Sequence, residues 1–92
     1  MSKQASRKVK KTFEMSTYYK SSKAGIKEIE KSQIDYSENE IISGKEHGEP
    51  FQVGTTAFRK ARVGYTDWVI VFEEDSKSVS FYGIVSIKYY KQ

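Results

Sequence analysis

The apolar side chains of this chain are concentrated near its C-terminal end, and this uneven distribution limits where a core can form. Residues 68–90 hold two apolar runs, WVIVFEE and VSFYGIVSIKYY, separated by the turn-forming residues DSKS. Runs of this length and composition are typical of β-strands. A chain of 92 residues supports one modest core. We therefore expect these strands to form its centre, with the core side chains Trp68, Ile70, Phe72, Phe81, Val85 and Ile87.

The preceding residues predict a first strand, one or two short helices and a further strand. Residues 12–19 alternate as a half-buried strand does, and SSKAGIKEIEKSQ predicts a helix capped by Ser21 or Ser22. Residues 34–50 predict either a short second helix capped by Ser37 or a loop, and residues 51–63 read as one extended segment. Gly83 predicts a bulge or a close approach in the last strand. The order indicates an α+β fold, a small antiparallel sheet with a C-terminal β-meander and one or two short helices on one face.

Charge is distributed unevenly along the chain. Residues 1–27 hold eight basic and one acidic side chain, whereas residues 28–50 hold seven acidic and two basic ones, within a net charge of +4. Residues 1–11 contain almost nothing that can be buried, so we expect a disordered basic arm there and a single α+β domain at 12–92. Such a dipolar chain attracts polyanions at one end and repels them in the middle.

Several kinds of site are disfavoured by composition. The chain has no cysteine, which excludes disulfides, thiolate zinc sites and thiol catalysis. His47 is the only histidine and lies in a Gly/Pro loop, so we expect no metal site and no cofactor. No run approaches the about 18 apolar residues that span a bilayer, and the N-terminus lacks the apolar stretch of a secretory signal. We expect a cytoplasmic protein with no membrane partner.

The side chains on the non-core face of the predicted sheet favour nucleic acid as the ligand. Cations neutralise phosphates, and aromatic rings stack on unpaired bases. No helix suited to a major groove is evident, so RNA or single strands are favoured over duplex DNA. The predicted nucleic-acid-binding residues are Phe58, Lys60, Arg62, Tyr82, Lys88 and Tyr90 on the sheet, with Lys8, Lys10 and Lys11 on the arm.

A second interpretation stays open beside nucleic-acid binding. The chain has seven tyrosines, and tyrosine is common in protein interfaces. A small protein with polarised charge and no catalytic motif also suits an inhibitor, of the virus-encoded type directed against host or defence systems, that binds a larger protein. The oligomeric state and the identity of either partner do not follow from composition.

The C-terminal half resembles a known family. The stretch FRKARVGYTDWVIVFEEDSKSVSFYGIVSIKYY is similar to the closing meander of RelE/ParE-type toxins, in which a basic strand turns into an apolar strand and a last strand ends in a basic residue and a tyrosine. The resemblance covers residues 58–90. Residues 20–48 supply fewer apolar positions than the two helices of that fold use.

The resemblance implies a third possible function. Ribosome-dependent members of the family cut messenger RNA without a metal, using basic groups to stabilise the transition-state phosphate and activate the 2′-hydroxyl. It implies Arg59, Arg62, Lys88 and Tyr90 as the catalytic residues, although Lys88 replaces an arginine and loses bidentate phosphate contact. ParE-like relatives keep the fold without RNA cleavage. We expect binding rather than catalysis, and a metal-independent endoribonuclease if the protein is an enzyme.

Overall fold

Two helices separate a short first strand from a four-stranded meander in the computed structural model, which describes residues 11–89. The elements are β1 (Thr12–Met15), α1 (Thr17–Ala24), α2 (Glu28–Ile42), β2 (Glu49–Val53), β3 (Thr56–Arg62), β4 (Trp68–Glu74), β5 (Ser78–Ser86) and a 3-10 turn (Ile87–Tyr89). The predicted α+β class is confirmed. Tyr90 and the predicted arm, apart from Lys11, lie outside the described residues. Within residues 11–89, no helix has the length and apolarity needed to cross a membrane.

The five strands form one sheet in the order β1-β5-β4-β3-β2. Strands β2 to β5 pair antiparallel as the predicted meander, and β1 adds to β5 in parallel. The sheet is therefore mixed rather than wholly antiparallel. Both helices contribute apolar side chains to the core against one sheet face, where Ile34 and Ile41 of α2 cluster with Ile70 and Phe72 of β4.

The first helix begins earlier than the alternation of residues 12–19 predicts. Strand β1 ends at Met15, and Ser16 caps α1 by accepting a hydrogen bond from the Tyr19 backbone N–H at 3.0 Å. The prediction of a strand through residue 19 and a helix capped at Ser21 or Ser22 is thus wrong. The reason is tertiary, because the helical turn buries Tyr19 with its ring 5.2 Å from that of Phe81.

Helix α2 is a single helix of 15 residues. Ser37, predicted as a cap, lies in its interior and is buried. Its buried residues Ile34, Ile41 and Ile42 recur at the spacing of one helix face, which packs on the sheet. The helix therefore runs through the boundary at residue 34, where the sequence pattern predicted one helix to end and a second helix or a loop to begin.

A buried polar network links the two helices. The Tyr19 hydroxyl donates a 2.6 Å hydrogen bond to Glu38, and the Lys23 ammonium lies 3.1 Å from Glu38 and 2.6 Å from Asp35. Burial raises the pKa of the Tyr19 phenol, and its hydrogen bond to Glu38 raises that pKa further. Burial lowers the pKa of Lys23, but the hydrogen bonds to Asp35 and Glu38 outweigh it, so this pKa lies above its ordinary value.

The segment 51–63 is a hairpin rather than one strand. Strands β2 and β3 pair through Val53 and Thr56, with a two-residue loop in which Gly54 has a φ of +62°. Two-residue hairpin loops require a positive φ, which glycine adopts readily. Gly54 therefore allows the chain to reverse between β2 and β3. Pro50 is accommodated because β2 is an edge strand.

A β-bulge in β5 changes which residues reach the core. Val71 pairs with Gly83 but Phe72 pairs with Phe81, so Tyr82 is the extra residue. Beyond the bulge Ile84 is buried, whereas Val85 is only half-buried, as are Ile87 and Trp68. The prediction of core positions is confirmed for Ile70, Phe72 and Phe81. It is wrong for Val85, because the extra residue inverts the alternation that the sequence pattern assumed, and for Ile87, because the strand has ended and Ile87 lies in the 3-10 turn.

Candidate nucleic-acid interface

The face of the sheet opposite the helices is called here the open face. Ala61, Ile70 and Phe72 belong to the core that both helices cover. Alternation along the strands therefore places Phe58 and Lys60 of β3 and Glu73 of β4 on the other side. The register pairs Glu73 with Ser80 of β5, so the Ser80 side chain belongs to the open face as well.

An aromatic pair occupies one end of the open face. The Phe58 and Tyr82 ring centroids are 5.2 Å apart, with the ring planes at 72°, which is an edge-to-face contact. The Tyr82 hydroxyl donates to Glu73 Oε1 at 3.1 Å. This hydrogen bond, with partial burial, raises the pKa of the Tyr82 phenol. The hydrogen bond and the ring contact together fix the orientation of Tyr82.

Lys60 lies in the middle of the open face. Its ammonium is 5.2 Å from the centroid of the Phe51 ring on β2, within the range of a cation–π contact. The register pairs Lys60 with Val71, which in turn pairs with Gly83. Lys60 thus stands between the aromatic pair and the far end of β3.

Arg62 and Lys88 lie at the opposite end of the sheet from the aromatic pair. Arg62 is the last residue of β3, and its Nε donates to the Thr66 carbonyl at 2.9 Å. Together with Tyr36 and Glu46 it lines a recess of about 180 Å³ between α2 and the β3–β4 turn. Lys88 is exposed in the 3-10 turn that follows β5. Both cations are accessible to solvent. Arg62 lies at the end of β3, beside α2, rather than in the middle of the sheet.

Arg59 does not join Arg62. It pairs with Phe72 on the helix side of the sheet, and its guanidinium donates to the carbonyls of His47 and Gly48. These hydrogen bonds hold the loop before β2 against β3. Arg59 and Arg62 therefore contact different loops, and their predicted shared role stays a prediction without geometric support.

Lys11 is engaged in an ion pair. Its ammonium lies 3.1 Å from Glu74 Oε1, and the side chains of both residues are only 13% exposed. His47 Nδ1 lies 2.6 Å from the other Glu74 oxygen. Burial raises the pKa of Glu74, but hydrogen bonds with His47 and Lys11 outweigh it, so the pKa lies below its ordinary value. Within residues 11–89, no three His, Asp or Glu side chains group as metal ligands.

A shallow depression of about 470 Å³ adjoins the aromatic pair at the end of the sheet that carries the β4–β5 turn. Its lining residues come from β2, β3, β4 and β5, and they are Pro50, Ala57, Phe58, Arg59, Glu73, Glu74, Asp75, Ser78 and Ser80.

The sequence pattern missed the place of Glu73 in this arrangement. The run EED at 73–75 reads as a solvated hairpin tip, yet Glu73 is half-buried inside β4 and bonded to Tyr82. No signal in either strand alone marks this bond, because it joins β4 to β5.

Comparison with known proteins supports the fold rather than a particular activity. No protein-family model matches the chain, and no curated protein matches it. The E. coli DinJ–YafQ toxin–antitoxin complex contains a chain that superposes with a TM-score of 0.71 at 16% identity, over 91% of this chain and all of that one. A mutant of E. coli YafQ gives 0.67 at 17% identity, over 86% of this chain and 96% of that one. The protein therefore has the fold of YafQ, a RelE-family toxin, and the predicted resemblance is confirmed at the level of fold.

Proposed function

We propose that this protein is a RelE-like toxin that acts on RNA through its open face. The observation that carries the proposal is that a chain with the YafQ fold presents an aromatic pair, Phe58 and Tyr82, beside Lys60 on that face. Rings that stack on unpaired bases contribute about 1–3 kcal/mol per base, and cations attract the phosphates. The proposal joins the predicted nucleic-acid binding to the toxin alternative.

The layout of the face suits a single strand that follows β3. Phe58 and Arg62 are four positions apart, which is about 13 Å at the usual rise of a strand. Bases would stack at the Phe58 end, and the backbone would pass Lys60 toward Arg62 and Lys88. This order separates the stacking groups from the cations at the far end.

The chemical step proposed is metal-independent cleavage. The 2′-hydroxyl of the RNA gives its proton to water and attacks the adjacent phosphorus, the bond to the 5′-oxygen breaks, and that oxygen takes a proton from water. The products are a 2′,3′-cyclic phosphate and a 5′-hydroxyl. Arg62 and Lys88 would stabilise the negative charge that develops on the phosphate oxygens. Of the other two residues that the resemblance implies, Arg59 donates to the loop carbonyls, and Tyr90 lies outside the described residues.

The test is binding of labelled single-stranded RNA, single-stranded DNA and duplex DNA across a salt series. Lys60→Glu/Arg62→Glu is compared with Lys20→Glu/Lys45→Glu, which makes the same change in net charge at exposed positions away from the open face. We expect RNA affinity to fall steeply with salt. Each lost phosphate contact lowers the slope by about 0.7 for a single strand, so the first variant should lose about 1.4 and the control much less.

Incubation of the same samples at low salt tests cleavage, read as a cyclic-phosphate product on a gel. Arg62→Ala should remove that product and also relieve any growth arrest on expression. Equal binding by the two double variants, or no RNA binding at low salt, would overturn the proposal.

A second candidate function, binding to a protein partner, is favoured by a separate observation. Ile29 and Tyr36 on α2 and Tyr65 in the β3–β4 turn are exposed by 77%, 66% and 100%. YafQ itself forms a complex with DinJ. Pull-down of a partner that is lost in Tyr36→Ala/Tyr65→Ala, while RNA affinity is unchanged, would support this candidate and an inhibitor-type role.

A further inference from the structure

We propose that the depression beside Phe58 is a nucleobase subsite that prefers guanine, with Phe58 as the stacking surface and Glu73 as the specificity-determining residue. The inference rests on the proposed function, because it names the base that RNA would place at the aromatic end of the open face.

The depression has the size and walls of a small-ligand site. Its volume of about 470 Å³ lies within the range of about 300–1,000 Å³ that is usual for ligand pockets. Phe58 lines it, and the edge-to-face contact with Tyr82 at 5.2 Å sets the orientation of that ring. A base that enters the depression therefore meets an aromatic surface that is already positioned.

Glu73 supplies a positioned acceptor at the same place. It lines the depression, and its Oε1 accepts from the Tyr82 hydroxyl at 3.1 Å. An ionised carboxylate has about four acceptor sites, and the Tyr82 hydroxyl occupies one of them on Glu73. The remaining acceptor capacity of the two oxygens can serve a ligand, and the Tyr82 bond limits the rotation of the carboxylate.

The charge of the depression favours a base over a phosphate. Three carboxylates line it, those of Glu73, Glu74 and Asp75, against the one cation of Arg59, so acidic groups stay in excess even though Lys11 pairs with Glu74. Carboxylates repel a phosphate and accept hydrogen bonds from N–H groups. The phosphates of a bound strand would therefore lie toward Lys60, and an uncharged group rich in donors would enter the depression.

Guanine is the base that meets this requirement best. Its Watson–Crick edge presents two adjacent donors, N1–H and the N2 amino group, which match the two oxygens of one carboxylate. Adenine and cytosine present one amino group beside an acceptor nitrogen, and uracil presents one N–H between two carbonyls. A bidentate pairing discriminates against a wrong base by about tenfold or more.

The experiment measures the affinity of eight-nucleotide oligouridines that carry one central guanine, inosine, adenine or cytosine. The unmodified protein should bind the guanine oligonucleotide at least about tenfold more tightly than the adenine one, with inosine between them because it lacks the N2 amino group. Glu73→Gln should keep RNA binding and lose the preference.

Glu14→Gln is the matched control, since Glu14 pairs with Ser80 in the same row of the sheet but does not line the depression. It should retain the preference. Equal affinities for all four oligonucleotides in the unmodified protein, or equal preference in Glu73→Gln and Glu14→Gln, would overturn the subsite while RNA binding stands. No binding of any oligonucleotide would overturn the proposed function as well. The inosine comparison needs no variant, so a folding defect in Glu73→Gln leaves the test intact.

Discussion

Replacing Gly48 by alanine should destabilise the protein far more than replacing Gly54, although both residues have nearly the same backbone conformation. Their φ angles are +63° and +62°. A Cβ at position 54 would have no neighbour within 4 Å. A Cβ at position 48 would clash with the carbonyl oxygen of Lys60, because it would lie closer than the 3.0 Å below which real Cβ contacts essentially never fall.

The expected magnitudes follow from these surroundings. Left-handed strain costs about 1–2 kcal/mol for a residue other than glycine and applies to both variants. Relief of the contact at position 48 also requires the loop to move from β3, which weakens the hydrogen bonds from Arg59 to His47 and Gly48. A hydrogen bond to a charged group contributes about 1.5–3 kcal/mol. We therefore expect a loss of about 3–5 kcal/mol for Gly48→Ala and about 1–2 kcal/mol for Gly54→Ala.

Thermal unfolding by circular dichroism measures the difference. One kcal/mol shifts the Tm of a domain of this size by about 4–8 °C, so the Tm of Gly48→Ala should lie about 6 °C or more below that of Gly54→Ala. The change in unfolded-state entropy is the same in both variants and cancels. Equal Tm values would show that the loop does not approach β3 as the structure has it.

Three further results are expected. Tyr19→Phe should lessen the fall in Tm above pH 10. The pKa of Tyr19 is raised in the folded state, so its contribution to stability is complete below the unfolded pKa of about 10 and is lost as pH rises. Measurement of Tm between pH 8 and 11 tests this, and an unchanged profile would contradict it. Glu74→Gln should lessen the fall in Tm below about pH 4, because the lowered pKa of Glu74 gives stability that is lost as pH falls. A fall as large as in the unmodified protein would refute the stabilising bonds of Glu74 with His47 and Lys11. Ile84→Ala should cost about 2–4 kcal/mol in urea unfolding and Val85→Ala clearly less, and the reverse order would place the bulge elsewhere.

Local pattern was sufficient for the centre of the fold. Ile70 and Phe72 lie in a continuous apolar run and Phe81 in an alternating one, both of which are typical of strands, and the core contains all three. Periodicity is a property of neighbouring residues, so it can be read without knowing what packs against the strand. The same rule failed at Tyr19, where the Ser16 cap and contact with Phe81 favour a helix over the strand that alternation suggested.

The open face was predicted in part. Phe58 and Tyr82 were both assigned to it from the sequence, and the structure brings their rings into contact across β4. Alternation also placed Lys60 there correctly relative to Phe58. Glu73 was missed, because its bond to Tyr82 joins two strands and has no trace in the local pattern of either one.

Composition and periodicity established the strand-forming runs, the polarised charge and the types of residue available to a ligand. They did not establish which charged groups are free to use. Lys11 and Arg59 looked like members of a basic surface, but Lys11 pairs with Glu74, 63 positions away, and Arg59 bonds the loop before β2. Partners so distant in the chain meet only when the sheet closes, and one extra residue in β5 then exchanges the faces of Ile84 and Val85. Long-range packing therefore selected, from a larger set of suitable side chains, the few that line the open face.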